Sequence, residues 1–235
     1  MKLTRATLAL TAVALAPALL LATPSLAAAA PVTASASASA VTGSDTENAA
    51  AIAKILADPA SGKGVKREAN KALDGTPADR IAFLETGLAK AQDEDNRFAI
   101  VKILADPTIG RGVTREANKA LDGTPADRTA FLATGLAKAQ DEDNRFAIAK
   151  ILADPTIGRG VTREANKALD GTPADRTAFL KTGLRLARAE DDRVEVARIL
   201  GRPGISVGLR AAAEKALSGT PEELRYFITV GQYQY

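Results

Sequence analysis

The sequence predicts an all-α protein: tandem three-helix repeats of 48 residues forming a short α-solenoid-like superhelix. Three observations predict it. A 48-residue unit recurs in phase, registered on Phe83, Phe131, Phe179 and Phe227, and self-similarity at such a period marks a repeat architecture. Apolar residues inside each unit fall at helical spacing. Helix-start and helix-stop signals recur at the same places in every copy. The two middle copies are close duplicates. From 91–138 against 139–186, only Val101/Ala149, Ala133/Lys181, Ala137/Arg185 and Lys138/Leu186 differ.

In chain order, Lys2 and Arg5 precede an apolar stretch, and Ser25-Leu26-Ala27 fits a small-residue cleavage site. Residues 1–27 therefore have the make-up of a secretory signal peptide. Residues 28–47 are rich in Ala and Ser without apolar periodicity, and read as a flexible linker. The repeats occupy 48–95, 96–143, 144–191 and 192–235, the last slightly short, with order expected to begin near Asn48.

Each unit reads as three short helices. In the second copy the first helix covers 97–105, with Ile100, Ile103 and Leu104 on one stripe. Asp95 and Asn96 are placed to cap its start, and Asp106-Pro107 closes it. The second helix covers 111–121. Val113, Ala117, Ala120 and Leu121 make its apolar stripe, Arg111, Arg115 and Lys119 line another face, and Gly123 stands where a left-handed cap is expected. The third begins at Thr124-Pro125-Ala126-Asp127, a hydroxyl cap followed by proline and a carboxylate at the third helical position. Phe131, Leu132, Gly135, Leu136 and Ala139 form its buried face. A mid-helix Gly costs about 1 kcal/mol against Ala, so Gly87, Gly135, Gly183 and Gly231 imply close helix–helix contact. Single repeats are expected to borrow their core from neighbours, the alternative being a compact bundle in which distant repeats touch.

Composition excludes several chemistries. The chain has no His, Cys or Trp, which removes Ser-His-Asp and Cys-His arrangements, thiolate zinc sites and disulfides. With Lys2 and Arg5 assigned to the leader, 29 basic residues face 28 acidic ones. No basic footprint for nucleic acid results, and no membrane span is expected in the mature chain.

The segments REANKALDGTPADRTAFLATGLAKA and LRAAAEKALSGTPEELRYFITVGQ resemble the ALF repeat family, from 48 to the C-terminus. The resemblance implies a secreted bacterial protein of tandem alanine-rich helical repeats. It brings neither an established activity nor catalytic residues.

Four local patterns invite a chemical reading. Gly204-Ile205-Ser206-Val207-Gly208 matches the nucleophile elbow of hydrolases, but lacks a His and a preceding strand. Its Ser aligns with Gly62, Gly110 and Gly158, which points to a helix cap. The acidic runs at 93–96 and 141–144 lack the spaced Gly and terminal carboxylate of a calcium loop, and read as solvated turns. Ser61-Gly62-Lys63-Gly64 only approaches a phosphate loop. Arg111, Arg115 and Lys119, repeated as Arg159, Arg163 and Lys167, could form a stripe for an anionic polymer or acidic protein if the repeats stack in register. No metal or cofactor is expected.

These features favour a secreted, non-enzymatic interaction module whose partner is an extracellular or cell-envelope protein or polymer. A structural spacer and a carboxylate-based hydrolase are the alternatives. The tyrosines Tyr226, Tyr233 and Tyr235, all in the fourth copy, fit either a cap on the stack or an aromatic tip.

Overall fold

A computed structural model describes residues 43–235. The expected signal peptide and most of the expected linker lie outside the described residues. Among the described residues there is no strand, and the fold is all-α. Helix α1 is Asp45–Ala57 and α2 is Lys63–Asp74. Helix α3 joins Pro77–Ala82, a π-helical turn Phe83–Gly87, and Leu88–Leu104. The pattern then repeats. Helix α4 is Arg111–Asp122, and α5 joins Pro125–Ala130, Phe131–Gly135 and Leu136–Leu152. Helix α6 is Arg159–Asp170, and α7 joins Pro173–Ala178, Phe179–Gly183 and Leu184–Leu200. Helices α8 (Val207–Leu217) and α9 (Pro221–Thr229) follow, with a short 3-10 turn, Gly231–Tyr233.

The separate first and third helices expected from the sequence are therefore one helix. The third helix of each of the first three copies runs on into the first helix of the next, through Gln-Asp-Glu-Asp-Asn in two cases and Arg-Ala-Glu-Asp-Asp in the third. No Gly or Pro lies between Leu88 and Leu104, so nothing compels the backbone to turn there. The acidic runs at 93–96 and 141–144 are mid-helix, not solvated turns, and Asp95 and Asn96 cap nothing at their own position. At the other end, α1 starts at Asp45, inside the stretch read as linker. Ser44 and Glu47 form a reciprocal capping box there, and this nucleates the helix earlier than apolar periodicity indicated.

The π turn explains the repeated Phe-Leu-x-Thr-Gly. The Leu88 N–H reaches back five residues to the Phe83 carbonyl. In a plain α-helix, Phe83 and Ala91 would point about 80° apart at about 100° per residue. The one-residue insertion removes most of that offset, and both side chains are buried. The hydroxyls of Thr86, Thr134 and Thr182 donate to the carbonyls of Ala82, Ala130 and Ala178 beside the turn. Gly87 and Gly135 end the turn because a Cβ at either would lie 3.1 Å from the ring of Phe83 or Phe131. The close approach expected of these glycines is real, but to a phenyl ring of their own helix rather than to a neighbouring helix.

Each repeat holds its own core. Ile52, Ala69, Ala72 and Phe83 cluster in the first, Ile100, Ala117, Ala120 and Phe131 in the second, and Ile148, Ala165, Ala168 and Phe179 in the third. The fourth is larger, with Val196, Ile199, Ala213, Ala216, Leu224 and Phe227. Neighbours were expected to complete these cores. Instead, the shared long helices make the first helix of each unit available without any borrowing. The main packing contacts join elements of the same or adjacent repeats, as in a solenoid and unlike a closed bundle.

Glycine also marks the starts of α2, α4 and α6, and here the reason is a carboxylate. Asp95 accepts from the Gly64 and Val65 N–H groups at 2.7 and 2.9 Å, and Asp143 and Asp191 do the same for α4 and α6. A Cβ on Gly110 would lie 2.2 Å from Asp143 Cγ. Gly123 does not take the left-handed conformation expected of it. Its φ is −84°, and it stays small because a Cβ would meet the Asp127 carboxylate at 2.7 Å. In the fourth copy Ser206 stands where the others have Gly, and its own hydroxyl accepts from Leu209 N–H at 3.1 Å.

A transplant of that arrangement tests the account. Gly110→Ala should lower stability by about 1–3 kcal/mol, the range for forced overpacking, and Asp143→Ala by about 1 kcal/mol, as for a lost cap. Gly110→Ser combined with Asp143→Ala should instead lie within about 1 kcal/mol of the parent, since a serine cap replaces the carboxylate. Urea unfolding followed by circular dichroism reads all three. Equal losses for Gly110→Ala and for the double variant would refute the steric explanation.

Candidate functional site

The side chains with most chemistry are concentrated where one repeat meets the next, and there they are engaged with each other. In the run 93–96 each residue takes a different partner. Asp93 accepts from Arg128 Nε and Nη2 at 2.6 and 2.8 Å. Glu94 meets Arg67 at 3.1 Å. Asp95 holds the start of α2, and Asn96 donates to the Thr129 hydroxyl at 3.1 Å. Residues 93 and 96 share one face of the helix and reach forward into the next repeat; 94 and 95 reach back to α2. The run at 141–144 repeats this with Arg176, Arg115, the start of α4, and Thr177.

Arg128 and Arg176 are each only 1% exposed. Besides its carboxylate, the Arg128 guanidinium donates from Nη1 to the Ala120, Leu121 and Gly123 carbonyls, the last at 2.7 Å. It thus closes the C-terminal end of α4 while fastening α5 to α3. Hydrogen bonding to Arg128 holds the Asp93 carboxyl below the usual carboxylate range, and Arg176 does the same for Asp141; burial opposes both shifts without cancelling them. The first copy of the pair, Arg80 with Asp45, is more open.

The junction between the third and fourth repeats uses other residues at the same positions. Leu224 stands where the other copies have Arg, and Ala189 where they have Asp, and both are buried. Asp192 and Arg225, 3.1 Å apart, replace the Asn–Thr pair. Burial raises the Asp192 carboxyl above its ordinary value despite the attraction of Arg225. Arg185 and Glu222 add a pair at 2.7 Å where the earlier junctions have alanines. Both partners change together at each of these contacts.

The basic residues singled out by sequence lie on the exposed face of α4 and α6, but they do not form one uniform row. Arg115 meets Glu116 at 2.9 Å and Glu142 at 3.4 Å. Arg163 meets Glu164 and Glu190, both at 2.9 Å, and Lys167 lies 4.0 Å from Glu164. Arg111, Lys119 and Arg159 have no ion-pair partner within 4 Å among the described residues. Lys119 borders an open groove of about 540 Å³ in the second repeat, floored by Ala120, Phe131, Gly135 and Ala139; the first repeat has its twin of about 550 Å³. Arg159 and Arg163 border a different groove of about 840 Å³, between the third and fourth repeats.

The other sequence patterns have structural roles. Ser206 caps α8, and Gly204, with φ of +73°, makes the turn before it. The helix start after Ser61-Gly62-Lys63-Gly64 is filled by Asp95. Asp141, Glu142 and Asp143 diverge to three separate partners. Sequence reasoning passed over Phe98 and Phe146, which are 70% and 73% exposed at equivalent positions. Their signal was present: neither falls on the Ile100, Ile103, Leu104 stripe.

The fourth junction points to a test of the first. Arg128→Leu alone should cost about 3–5 kcal/mol, as for a broken buried pair. Adding Asp93→Ala, which recreates the Ala189 and Leu224 combination of the last junction, should restore more than half of that loss. Because the folded-state pKa of Asp93 is depressed, its contribution is complete above the unfolded value of about 3.9 and is lost as pH falls through the lower folded value. The drop in urea midpoint between pH 7 and pH 3 should therefore be smaller in the double variant than in the parent. An equal drop would dissociate the pair from acid sensitivity.

Comparison with known proteins agrees with this geometry. No curated protein matches the chain. A family model for ALF, short repeats of unknown function, matches residues 50–91, 97–139, 145–187 and 193–234, each match spanning the helices around one buried cluster. The chain belongs to the ALF repeat family.

Proposed function

We propose that this protein is a secreted, non-enzymatic interaction module that binds an extracellular or cell-envelope protein or polymer. The observation that carries this reading is the repeated presentation of one exposed face, Arg111, Arg115 and Lys119 on α4 and Arg159, Arg163 and Lys167 on α6. Helices shared between repeats hold these faces on a continuous support. Solenoids of this kind offer extended surfaces, and charged residues at such surfaces set specificity and encounter rate. The carboxylates a hydrolase would need are committed instead to arginines and helix starts, which favours binding over hydrolysis. Export rests on the composition of residues 1–27. No helix among the described residues is long and apolar enough to cross a membrane.

A crosslinked pull-down tests the reading, with bait beginning at Ala28 and the producing cell's envelope and secreted fractions as prey. A matched bait carries Arg111, Arg115, Arg159 and Arg163 changed to Glu. Retention of a specific protein or polymer by the first bait and its loss from the second is the expected outcome. Retention of nothing by either bait would favour the structural spacer.

A further inference from the structure

We infer that the groove between the third and fourth repeats binds a tetrahedral oxyanion of the phosphate class through Arg159 and Arg188. The inference deepens the binding reading and rests on it. The groove encloses about 840 Å³ between the start of α6, the mid-face of α7, and α9. Five arginines and five acids line it, so charge alone would predict nothing. Their pairing decides the matter.

Every acid there is already engaged. Asp191 accepts from the Gly160 and Val161 N–H groups at 2.7 and 2.9 Å. Glu190 meets Arg163 at 2.9 Å, Asp192 meets Arg225 at 3.1 Å, and Glu195 meets Arg198 at 3.0 Å. Asp154 accepts from the N–H and hydroxyl of Thr156 at 2.9 and 2.7 Å. Arg159 and Arg188 are the two groove guanidiniums with neither a hydrogen bond nor an ion pair within 4 Å among the described residues, although the charge of Arg188 is felt by Asp154 and Asp192. The helix start of α6 is filled by Asp191, so an anion would be held by side chains rather than by backbone N–H groups.

The groove is also distinctive within the chain. At the junction of the second and third repeats, the positions of Arg188, Arg198 and Arg225 hold Gln140, Lys150 and Thr177. Three guanidiniums have thus been placed on one groove. Geometry chooses the anion. A planar guanidinium fork donates in parallel to two oxygens, and one fork satisfies both oxygens of a carboxylate. A phosphate offers further oxygens at tetrahedral angles, so it can accept from a second fork as well.

Calorimetric titration of the full chain with inorganic tripolyphosphate tests this, with butanetetracarboxylate as a carboxylate of similar charge. Tripolyphosphate should bind at least tenfold more tightly than butanetetracarboxylate. Arg188→Gln and Arg159→Gln should each weaken it at least fivefold, while Arg210→Gln, at an exposed guanidinium of α8 outside both the groove and the basic face, should leave it within twofold. Butanetetracarboxylate binding as tightly, no binding by the parent, or an Arg210→Gln loss matching that of Arg188→Gln would overturn the assignment. These outcomes are independent of the pull-down. A partner retained there without tripolyphosphate binding would defeat only this inference.

Discussion

The buried guanidinium at the first two junctions, Arg128 and then Arg176, is the interaction on which the repeat array depends. Arg128 joins three elements at once: its own helix, the carbonyls that end α4, and the carboxylate of Asp93 on α3. Each of the first three repeats already has a small apolar core, built on one Phe, one Ile and two Ala. What such a core cannot supply is orientation between units, because alanine-rich faces pack closely but carry little directional information. A bidentate guanidinium–carboxylate pair has a fixed geometry. Apolar burial therefore makes each unit, and the polar clamp sets its pose on the next.

The helix that carries the clamp also explains why so many acids stand together. Four successive side chains on a helix point in directions about 100° apart, so a run such as Asp93-Glu94-Asp95-Asn96 addresses the preceding and following repeats at once. A turn at that point would have splayed them. The glycines at the helix starts follow from the same arrangement. Asp95, Asp143 and Asp191 arrive as external caps and occupy the space a Cβ would need, and where Ser206 caps its own helix no such carboxylate is used.

Period, helical class and the capping signals at Thr76, Thr124, Thr172 and Thr220 were legible because they depend on neighbours in sequence. The core stripe of α4 was legible for the same reason. Three things were not. The fusion of two helices at 88–104 was hidden because acids before an apolar run look like caps, and only their distant partners show otherwise. The extended conformation of Gly123 was hidden because the demand for glycine there comes from Asp127 rather than from φ. The Arg128–Asp93 pair spans 35 residues, beyond any local pattern. Yet a trace of it lay in the sequence, since the positions that hold Arg and Asp in three copies hold Leu224 and Ala189 together in the fourth. The basic face was visible as a pattern, while its division between two different grooves required the packing.

That paired replacement links architecture to recognition. A buried ion pair can be exchanged for apolar residues of similar volume with little loss, provided both partners change. At the last junction both have changed. Orientation is carried instead by Asp192 with Arg225 and by Arg185 with Glu222. Arg225 thereby lies on the rim of a groove that also gains Arg188 and Arg198. With the core positions apolar, the half-exposed Arg225 holds the buried Asp192 from outside, and this adds a guanidinium to a solvent-facing groove while the core beneath it stays apolar. The repeat least like the others is the one in which the machinery of stacking has become accessible to a ligand.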